Sequence, residues 1–407
     1  MKVLVLNCGS SSLKFKLIET SLRQMQIDAD KEVAKGLIEK IGLPGAEVHY
    51  WDSNGKYYHE VASILNHGDA LNKSVTLLED EKIGVLKSRN EIDAIGHRVV
   101  HGGEYFHKSV IIDSKVIGVI QECSRFAPLH NPHNLEGIRV AMEIFPNVPN
   151  VAAFDTQFHY SIPPHAYLYA IPTYFYYRDG IRRYGFHGLS HYYVTYRFSR
   201  LLEKPLDKVK LISCHLGNGA SITAVKNGKS IDTSMGFTPL EGLVMGTRCG
   251  DLDPEVVIYI MAREGLSLSE ASSLLNKQSG LLGLSGISND MRHILKEADH
   301  GNIQCKYAFE VFCYRIKKYI SAYLGILNGA DGIVFTAGIG ENSPRVRDKS
   351  LEDMENLGIV IDKDKNNEAI GREMEISKKD SKVKVWVIPT NEELVIARDT
   401  VEVLSKQ

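Results

Sequence analysis

The sequence lacks the features that mark nucleic-acid-binding and membrane proteins. Its 407 residues carry a net charge of −2, and they include no basic arm and no long block of like charge. A strongly positive surface is what attracts a protein to nucleic acid or to an anionic membrane, so neither is expected as a main partner. No run of about 18 apolar residues occurs, which excludes a conventional membrane-spanning helix.

Paired cysteines and an export signal are also missing. The six cysteines are scattered, and no two of them form a CxxC pair. This usage fits free thiols in a reducing cytosol, so a cytoplasmic protein is expected. The apolar run from Val3 to Leu6 is too short for the hydrophobic region of a secretory signal.

The opening stretch, MKVLVLNCGSSSLKFKLI, contains a glycine–serine turn but not a Walker loop. A Walker loop needs the order G-x-x-x-x-G-K-[ST] and a helix after it. Here Leu13, Phe15 and Leu17 alternate with Lys14 and Lys16, which is strand periodicity. The pattern predicts a hairpin. Its turn is either an ordinary one or a nest of backbone N–H groups that binds an anion.

An internal repeat divides the chain into two parts. Residues 210–234, KLISCHLGNGASITAVKNGKSIDTS, repeat the order strand, glycine turn, strand found at the start. Gly9 and Gly217 are about half the chain apart, so two similar domains are expected, each beginning with a β-meander. The segment EVHYWDSNGKYYHEVA predicts a further hairpin with an Asn-Gly turn.

Helices are predicted after each meander. Residues 134–144 carry an apolar stripe, residues 254–263 begin with proline, and residues 307–327 are apolar enough to be expected mostly buried. After the strand KVKVWVIP, a last helix is predicted with Thr390 or Asn391 as its N-cap and acidic residues in its first turn.

Three glycine-rich turns, CGSSS, LGNGAS and AGIGENS, each follow a predicted strand. Glycines let the backbone approach phosphate oxygens closely, and three such turns favour one nucleotide held from both sides. Four cationic side chains lie in glycine-flanked segments: Arg98, His187, His215 and Arg248. Together they predict a site that neutralises several negative charges.

The metal candidates point to magnesium. His187 and His191 have the spacing of the HExxH motif, but Gly188 replaces its glutamate, so a metalloprotease is excluded. Magnesium takes one or two protein oxygens together with waters and substrate phosphates, so few ligands far apart in sequence are expected. The candidates are Asn7, Asp155, Asp290 and Glu392.

Nine segments resemble, in order, the motifs of the acetate kinase family: NCGSSSLKF, GHRVVHGG, FDTQFH, YGFHGLSH, HLGNGAS, MGTRCGDLDP, NDMR, AGIGEN and TNEEL. The resemblance spans essentially the whole chain. It implies an α/β fold of two duplicated domains of the actin-like ATPase (ribonuclease H-like) type, with a nucleotide cleft between them. The implied N-terminal domain, 1–155 plus 391–407, carries the carboxylate and magnesium sites, and the C-terminal domain, 156–390, binds the nucleotide.

The resemblance also implies a role for particular residues. The implied catalytic residues are Asp155, His187 and Arg248. The implied substrate-binding residues are Arg98, Val100, Leu129, Phe186 and Pro239. The implied magnesium ligands are Asn7 and Glu392, with Glu393 as the alternative to Glu392. The implied ATP-binding residues are Lys14, His215, Leu216, Gly217, Asn218, Gly219, Asp290, Met291, Arg292, Gly338, Ile339, Gly340, Glu341 and Asn342.

The activity that the resemblance implies is reversible transfer of the ATP γ-phosphate to acetate, giving acetyl phosphate and ADP. It depends on Mg²⁺, with Mn²⁺ as a substitute, and a homodimer is implied. One alternative is a kinase of propionate or of a broader range of short-chain acids. Another is an actin-like ATPase that switches partners. A sugar kinase is disfavoured because the implied substrate pocket is apolar.

Overall fold

The structure, a computed structural model, describes residues 1–406. The chain folds into two units. Unit 1 is Met1–Gln157 together with the segment that begins at Asn391, and unit 2 is Phe158–Thr390. None of the helices in the described part of the chain is both long and apolar enough to cross a membrane.

Unit 1 is built on one mixed β-sheet. Its strands are β1 (Lys2–Cys8), β2 (Ser12–Glu19), β3 (Lys31–Glu39), β4 (Ala46–Asp52), β5 (Tyr57–Ala62), β6 (Ala94–Val99), β7 (Val110–Ile111) and β8 (Asn150–Phe154). Its first helices are α1 (Leu22–Gln26), α2 (His67–Glu79), α3 (Ser114–Glu122) and α4 (Asn131–Ile144). The strand order is β5-β4-β3-β2-β1-β6-β8-β7.

The hairpin predicted at the start of the chain is present. β1 pairs antiparallel with β2, and Asn7 lies opposite Lys14. Leu13, Phe15 and Leu17 are buried, while Lys14 and Lys16 alternate with them on the other face. The backbone N–H of Gly9 donates to the carbonyl of Ser12 across the turn, at 2.8 Å.

Unit 2 is built on a second mixed sheet. Its strands are β9 (Lys210–Leu216), β10 (Ala220–Lys226), β11 (Lys229–Thr233), β12 (Gly332–Thr336), β13 (Met374–Glu375) and β14 (Lys384–Val387). Its helices are α5 (Pro164–Tyr167), α6 (Tyr174–Asp179), α7 (Gly188–Leu201), α8 (Pro254–Glu264), α9 (Leu268–Lys277), α10 (Gly280–Ser285), α11 (Met291–Asp299), α12 (Ile303–Leu327), α13 (Ala337–Asn342), α14 (Pro344–Leu351) and α15 (Lys363–Glu368). The strand order is β11-β10-β9-β12-β14-β13.

The two sheets share one topology, which confirms the repeat expected from the sequence. In unit 1 the meander β3-β2-β1 is followed by β6 and β8, which run parallel to β1. In unit 2 the meander β11-β10-β9 is followed by β12 and β14, which run parallel to β9. Each unit thus has a set of three parallel strands whose carboxyl ends share one edge of the sheet.

The last helix, α16 (Glu392–Leu404), belongs to unit 1. Asn391 caps it, because its side chain accepts a hydrogen bond from the N–H of Leu394 at 3.2 Å. The face containing Val395, Ile396 and Val401 is buried against the parallel strands of unit 1. Packing against β6 is close, since a Cβ at Gly96 would lie 2.6 Å from Ile396 Cγ2.

The long helix α12 differs from its prediction. It begins at Ile303, where the Asn302 side chain accepts from the N–H groups of Gln304 and Cys305. It was expected to be mostly buried, but only nine of its 25 residues are. Tyr307 and Tyr314 are 55% and 69% exposed. The prediction of a mostly buried helix was therefore wrong. It failed because apolar residues around a helix do not show which of its faces packs within the chain.

Candidate active site

Arg98 and Asp155 form a largely buried ion pair in unit 1. Arg98 Nε donates to Asp155 Oδ1 at 3.0 Å, and Arg98 Nη2 donates to Asp155 Oδ2 at 2.6 Å. The third nitrogen, Nη1, donates to Asn7 Oδ1 at 3.3 Å. These residues lie at the carboxyl ends of β6, β8 and β1, and side chains at this edge of neighbouring parallel strands meet. A two-bond pair of this kind fixes the plane of the guanidinium.

Glu392, the first residue of α16, joins this group. Its Oε2 lies 3.9 Å from Arg98 Nε. Burial raises the pKa of Glu392 to about 7; Asp155 adds to the rise, and Arg98 opposes it. For Arg98, burial opposes protonation, but the carboxylates of Asp155 and Glu392 raise its pKa overall.

The oxygen atoms of this group fit magnesium. Two carboxylates and one amide oxygen are the donors that Mg²⁺ prefers. Burial is the main cause of the raised pKa of Glu392, and the neighbouring Asp155 carboxylate adds to it; a divalent cation would offset that negative charge. Glu393 pairs with Lys16 instead, with its Oε2 3.5 Å from Lys16 Nζ, although its charge also acts on Arg98. The ion pair with Arg98 is therefore made by Glu392 and not by Glu393.

Lys14, in unit 1, adds a positive charge near this group. Its side chain is exposed, it lies opposite Asn7 in the hairpin, and its charge lowers the pKa of Glu392.

The predicted substrate residues of unit 1 differ in exposure. Val100 is buried, and its backbone N–H donates to Asn134 Oδ1 at 3.1 Å, whereas Leu129 is 54% exposed.

In unit 2, His187 is held in an unusual backbone conformation. Its φ of 57° lies in the left-handed region, immediately before α7. Its Nδ1 is 2.9 Å from Ser221 Oγ, and its ring stacks on His215 with centroids 4.0 Å apart. His215 Nδ1 in turn is 2.8 Å from Ser190 Oγ. Strain of this kind persists where the surroundings fix it, often at functional sites.

Arg248 lies near His187 beside the glycine turn of β9–β10. A Cβ at Gly219 would be 3.4 Å from His187 Nε2 and 3.6 Å from Arg248 Nη1, so the missing side chain leaves room between them. Arg248 Nη1 donates to the carbonyl of Pro239 at 3.0 Å. Burial lowers the pKa of Arg248, yet an arginine remains charged at neutral pH. Of the other predicted substrate residues, Phe186 is buried, and its carbonyl is 2.9 Å from His159 Nε2.

A cavity of about 680 Å³ opens in unit 2. This volume is in the range of small-molecule sites, roughly 300–1,000 Å³. Eight predicted ATP-binding residues line it: Gly217, Asn218, Asp290, Met291, Arg292, Gly338, Ile339 and Asn342. Five residues without a prediction also line it: Asn289, Leu295, Ser343, Pro344 and Arg345.

The remaining predicted ATP residues of unit 2 are not among the lining of this cavity; they are His215, Leu216, Gly219, Gly340 and Glu341. Two of them have supporting contacts instead. Glu341 Oε1 accepts from the N–H of Ala337 at 2.7 Å and of Thr390 at 3.1 Å. The carbonyl of Gly340 accepts from Arg347 Nη1 at 2.8 Å. The segment AGIGEN was predicted as the third glycine turn, but it forms the short helix α13 directly after β12, and these contacts hold that helix in place.

Some of the residues that sequence reasoning missed had a partial signal. Ser343, Pro344 and Arg345 follow directly on AGIGEN, and Leu295 lies one turn after Met291 on α11, so helical periodicity could have found them. Arg347 had no such signal. Arg347 is fully buried, and its Nε also donates to Asn366 Oδ1 at 2.7 Å. This contact forms only when the chain folds back to bring Asn366, 19 residues later, against Arg347.

Comparison with known proteins decides the family. The Acetokinase family matches residues 2–398. The chain belongs to the acetokinase family. An acetate kinase of Thermotoga petrophila is 54% identical over 408 residues, covering 100% of this chain and 99% of the relative. Family members are kinases that transfer phosphate between ATP and a carboxylate and depend on Mg²⁺.

Solved structures give the fold of this acetokinase. The crystal structure of Porphyromonas gingivalis acetate kinase superposes with a TM-score of 0.92 at 47% identity, covering 99% of both chains. A propionate kinase from Francisella tularensis superposes with a TM-score of 0.90 at 43% identity, covering 98% of this chain and 99% of that one. The chain therefore has the two-domain actin-like kinase fold.

Proposed function

We propose that this acetokinase transfers the γ-phosphate of ATP to acetate, reversibly and with Mg²⁺, to give acetyl phosphate and ADP. The observation that carries the proposal is the Arg98–Asp155 pair, in which a buried carboxylate holds a guanidinium by two hydrogen bonds. Arg98 would bind the acetate carboxylate, and Asp155 would set the orientation of Arg98.

The acceptor needs no general base. The pKa of a simple carboxylic acid is near ~4, so acetate is already an anion at neutral pH. Its oxygen forms a bond to the γ-phosphorus while the bond to the bridging β,γ-oxygen breaks, and ADP leaves with that electron pair. The difficulty is repulsion between anions, so positioning and charge stabilisation would carry most of the catalysis.

The two units would supply different parts of the reaction. Asn7 and Glu392 of unit 1 would hold Mg²⁺, which when bound neutralises phosphate charge. The cavity of unit 2 would hold the nucleotide, and His187 and Arg248 would donate hydrogen bonds to the transferring phosphoryl group. The Ser221 and His215 contacts fix the His187 ring, so its position is set before substrate binds.

Acetate is preferred to longer acids in this proposal because Val100, Leu129, Phe186 and Pro239 would contact its methyl group. One methylene changes transition-state binding by about 1–3 kcal/mol, so propionate should be a poorer substrate that still reacts. Val100→Ala should raise the ratio of propionate to acetate turnover. An unchanged ratio would remove Val100 from the pocket.

A panel of acceptors tests the proposal. ATP and Mg²⁺ are supplied with formate, acetate, propionate, butyrate or glucose, and acyl phosphate is trapped with hydroxylamine. We expect acetyl hydroxamate as the main product. Larger yields from propionate would favour the propionate kinase alternative. ATP hydrolysis without any hydroxamate would favour an ATPase that switches partners.

We also propose that Mn²⁺ replaces Mg²⁺, since it accepts the same oxygen ligands. A homodimer is proposed because α12 exposes an apolar stripe that includes Tyr307, Val311 and Tyr314. A cytoplasmic location is proposed because ATP is available there and all six cysteines are free thiols.

A further inference from the structure

The hairpin of β4 and β5 forms one edge of the sheet of unit 1. Alternation along β4 buries Val48 and Tyr50, and it places Glu47 and His49 on the opposite face. On β5, His59 lies directly opposite His49. Two imidazoles and a carboxylate therefore share the outer face of this hairpin, although none of them belongs to the proposed reaction.

These three side chains converge. The rings of His49 and His59 have centroids 4.7 Å apart. His49 Nε2 lies 3.7 Å from Glu47 Oε2. One nitrogen from each histidine and one oxygen from Glu47 all lie within 4.8 Å of one another. Tetrahedral Zn²⁺ with bonds of about 2.0–2.1 Å separates its ligand atoms by about 3.3 Å, so small side-chain rotations would complete the site.

Neighbouring side chains already orient two of the ligands. His49 Nδ1 is 2.8 Å from the Tyr57 hydroxyl, a contact that leaves Nε2 directed toward Glu47. Metal-bound histidines commonly use their second nitrogen in such a hydrogen bond. Lys40 Nζ donates to Glu47 Oε1 at 2.5 Å and leaves Oε2 on the side of His49. Glu39, opposite Glu47, adds a second negative charge near His49.

We propose that Glu47, His49 and His59 bind a divalent transition-metal ion of the Zn²⁺ class. Imidazole ligands select such ions, whereas the oxygen ligands around Arg98 and Asp155 suit Mg²⁺. Within residues 1–406, this is the only group of three or more His, Cys, Asp or Glu side chains that meets this convergence. A bound ion would tie β5, whose other edge is unpaired, to β4.

The site is separate from the proposed chemistry. Three strand spacings separate β4 from β1 in the sheet, about 14 Å at roughly 4.8 Å per strand. Removal of a ligand should therefore leave acetyl phosphate formation unchanged. The metal would act on the stability of the sheet edge.

Calorimetric titration with Zn²⁺ in excess Mg²⁺ tests the proposal. We expect wild type to bind one Zn²⁺ with micromolar affinity or better, and His49→Gln or His59→Gln to weaken binding at least tenfold. Tyr57→Phe keeps the ring but loses the hydrogen bond to His49, so it should weaken binding about tenfold, as other supporting partners do. In thermal unfolding, Zn²⁺ should raise the Tm of wild type and not that of His49→Gln.

His293→Gln is the matched control. On the surface, Glu297 Oε1 lies 3.9 Å from His293 Nε2 and 3.8 Å from His300 Nδ1. Unlike Glu47, His49 and His59, these three residues do not bring one ligand atom each within 4.8 Å of one another. Its loss should leave Zn²⁺ binding unchanged. Wild-type binding no tighter than millimolar would overturn the proposal, and so would equal affinity in wild type and in a folded His49→Gln protein.

Discussion

Asp155 could act by positioning Arg98 or by removing a proton as a general base, and the two roles predict different pH profiles for an Asp155 variant. In Asp155→Asn, an N–H group replaces one of the oxygens that accept from Arg98, so the guanidinium loses its fixed plane. We expect kcat/KM to fall about 100-fold or more, as misplaced reacting groups cause. The acid limb of the pH profile of kcat/KM should remain, because acetate carries no proton to remove.

Asp399→Asn is the control for this experiment. Asp399 is a half-buried acid of unit 1, and its Oδ2 accepts from neutral groups, Gln157 Nε2 at 2.9 Å and Ser109 Oγ at 2.5 Å. We expect its replacement to leave kcat/KM close to wild type. If the acid limb of the pH profile disappears in Asp155→Asn but remains in wild type and in Asp399→Asn, then Asp155 is a general base and the positioning role is wrong.

The buried imidazole of His97 should make the folding stability of unit 1 depend on pH. Burial lowers its pKa from 6.5 to about 4, although its Nε2 is bonded to Asn150 Oδ1 at 2.7 Å. Below pH 6.5 the unfolded chain binds a proton that the folded protein does not. This contribution to stability is therefore complete above pH 6.5 and is lost as the pH falls, by about 1.4 kcal/mol per pH unit between 6.5 and 4.

Urea unfolding between about pH 5 and 7.5 measures this effect. We expect the unfolding free energy of wild type to decrease with falling pH, and that of His97→Gln to decrease less steeply by about one proton. Burial also lowers the pKa of His101, to about 3, and that of His191, so some acid dependence should remain in the variant. Equal slopes in the two proteins would show that His97 is not held neutral.

At the scale of elements, the packing of β6 against α16 predicts the effect of a single methyl group. In Gly96→Ala, the new Cβ would lie 2.6 Å from Ile396 Cγ2 and 2.8 Å from Thr400 Oγ1. The helix must move, so we expect a loss of about 1–3 kcal/mol of stability. Because Glu392 begins this helix, the concentration of Mg²⁺ that gives half-maximal activity should also rise.

Gly118→Ala provides the comparison. Gly118 lies inside α3, and a Cβ there would have nothing within 4 Å. Alanine favours the helix by about 0.5–1 kcal/mol over glycine, so this variant should unfold at equal or higher urea concentration. A Gly96→Ala protein with wild-type stability and Mg²⁺ dependence would mean that the packing of α16 adapts without cost.

The elements that could be predicted from sequence are those with local causes. Alternation at Leu13, Phe15 and Leu17 defines a strand within a few residues, and the Asn391 cap lies next to the helix it begins. The Arg98–Asp155 pair has no local cause, because it depends on β6 lying beside β8 across 57 residues of chain. Its function could be inferred only through the family resemblance.

At the scale of the whole molecule, the exposed stripe on α12 predicts self-association. Tyr307, Val311 and Tyr314 follow one helical face, and the largest exposed fraction among them is the 69% of Tyr314. Tyr314→Asp would bring a charge into a dimer interface, so sedimentation velocity should show a shift from dimer toward monomer. Leu65→Asp, at a residue 72% exposed in unit 1, should leave the dimer intact. A wild-type protein that stays monomeric at high concentration would exclude the homodimer.

The position of α16 in the chain has a consequence for protein synthesis. Domains generally fold as units while the ribosome extends the chain, with the N-terminal one first. Here all of unit 2 is translated before α16, so a nascent unit 1 presents the apolar surface that Val395, Ile396 and Val401 later cover. Until those residues leave the ribosome, that surface is open to chaperones and to aggregation. A premature stop codon after residue 390 would therefore give a chain with unit 2 intact, unit 1 uncovered and Glu392 absent.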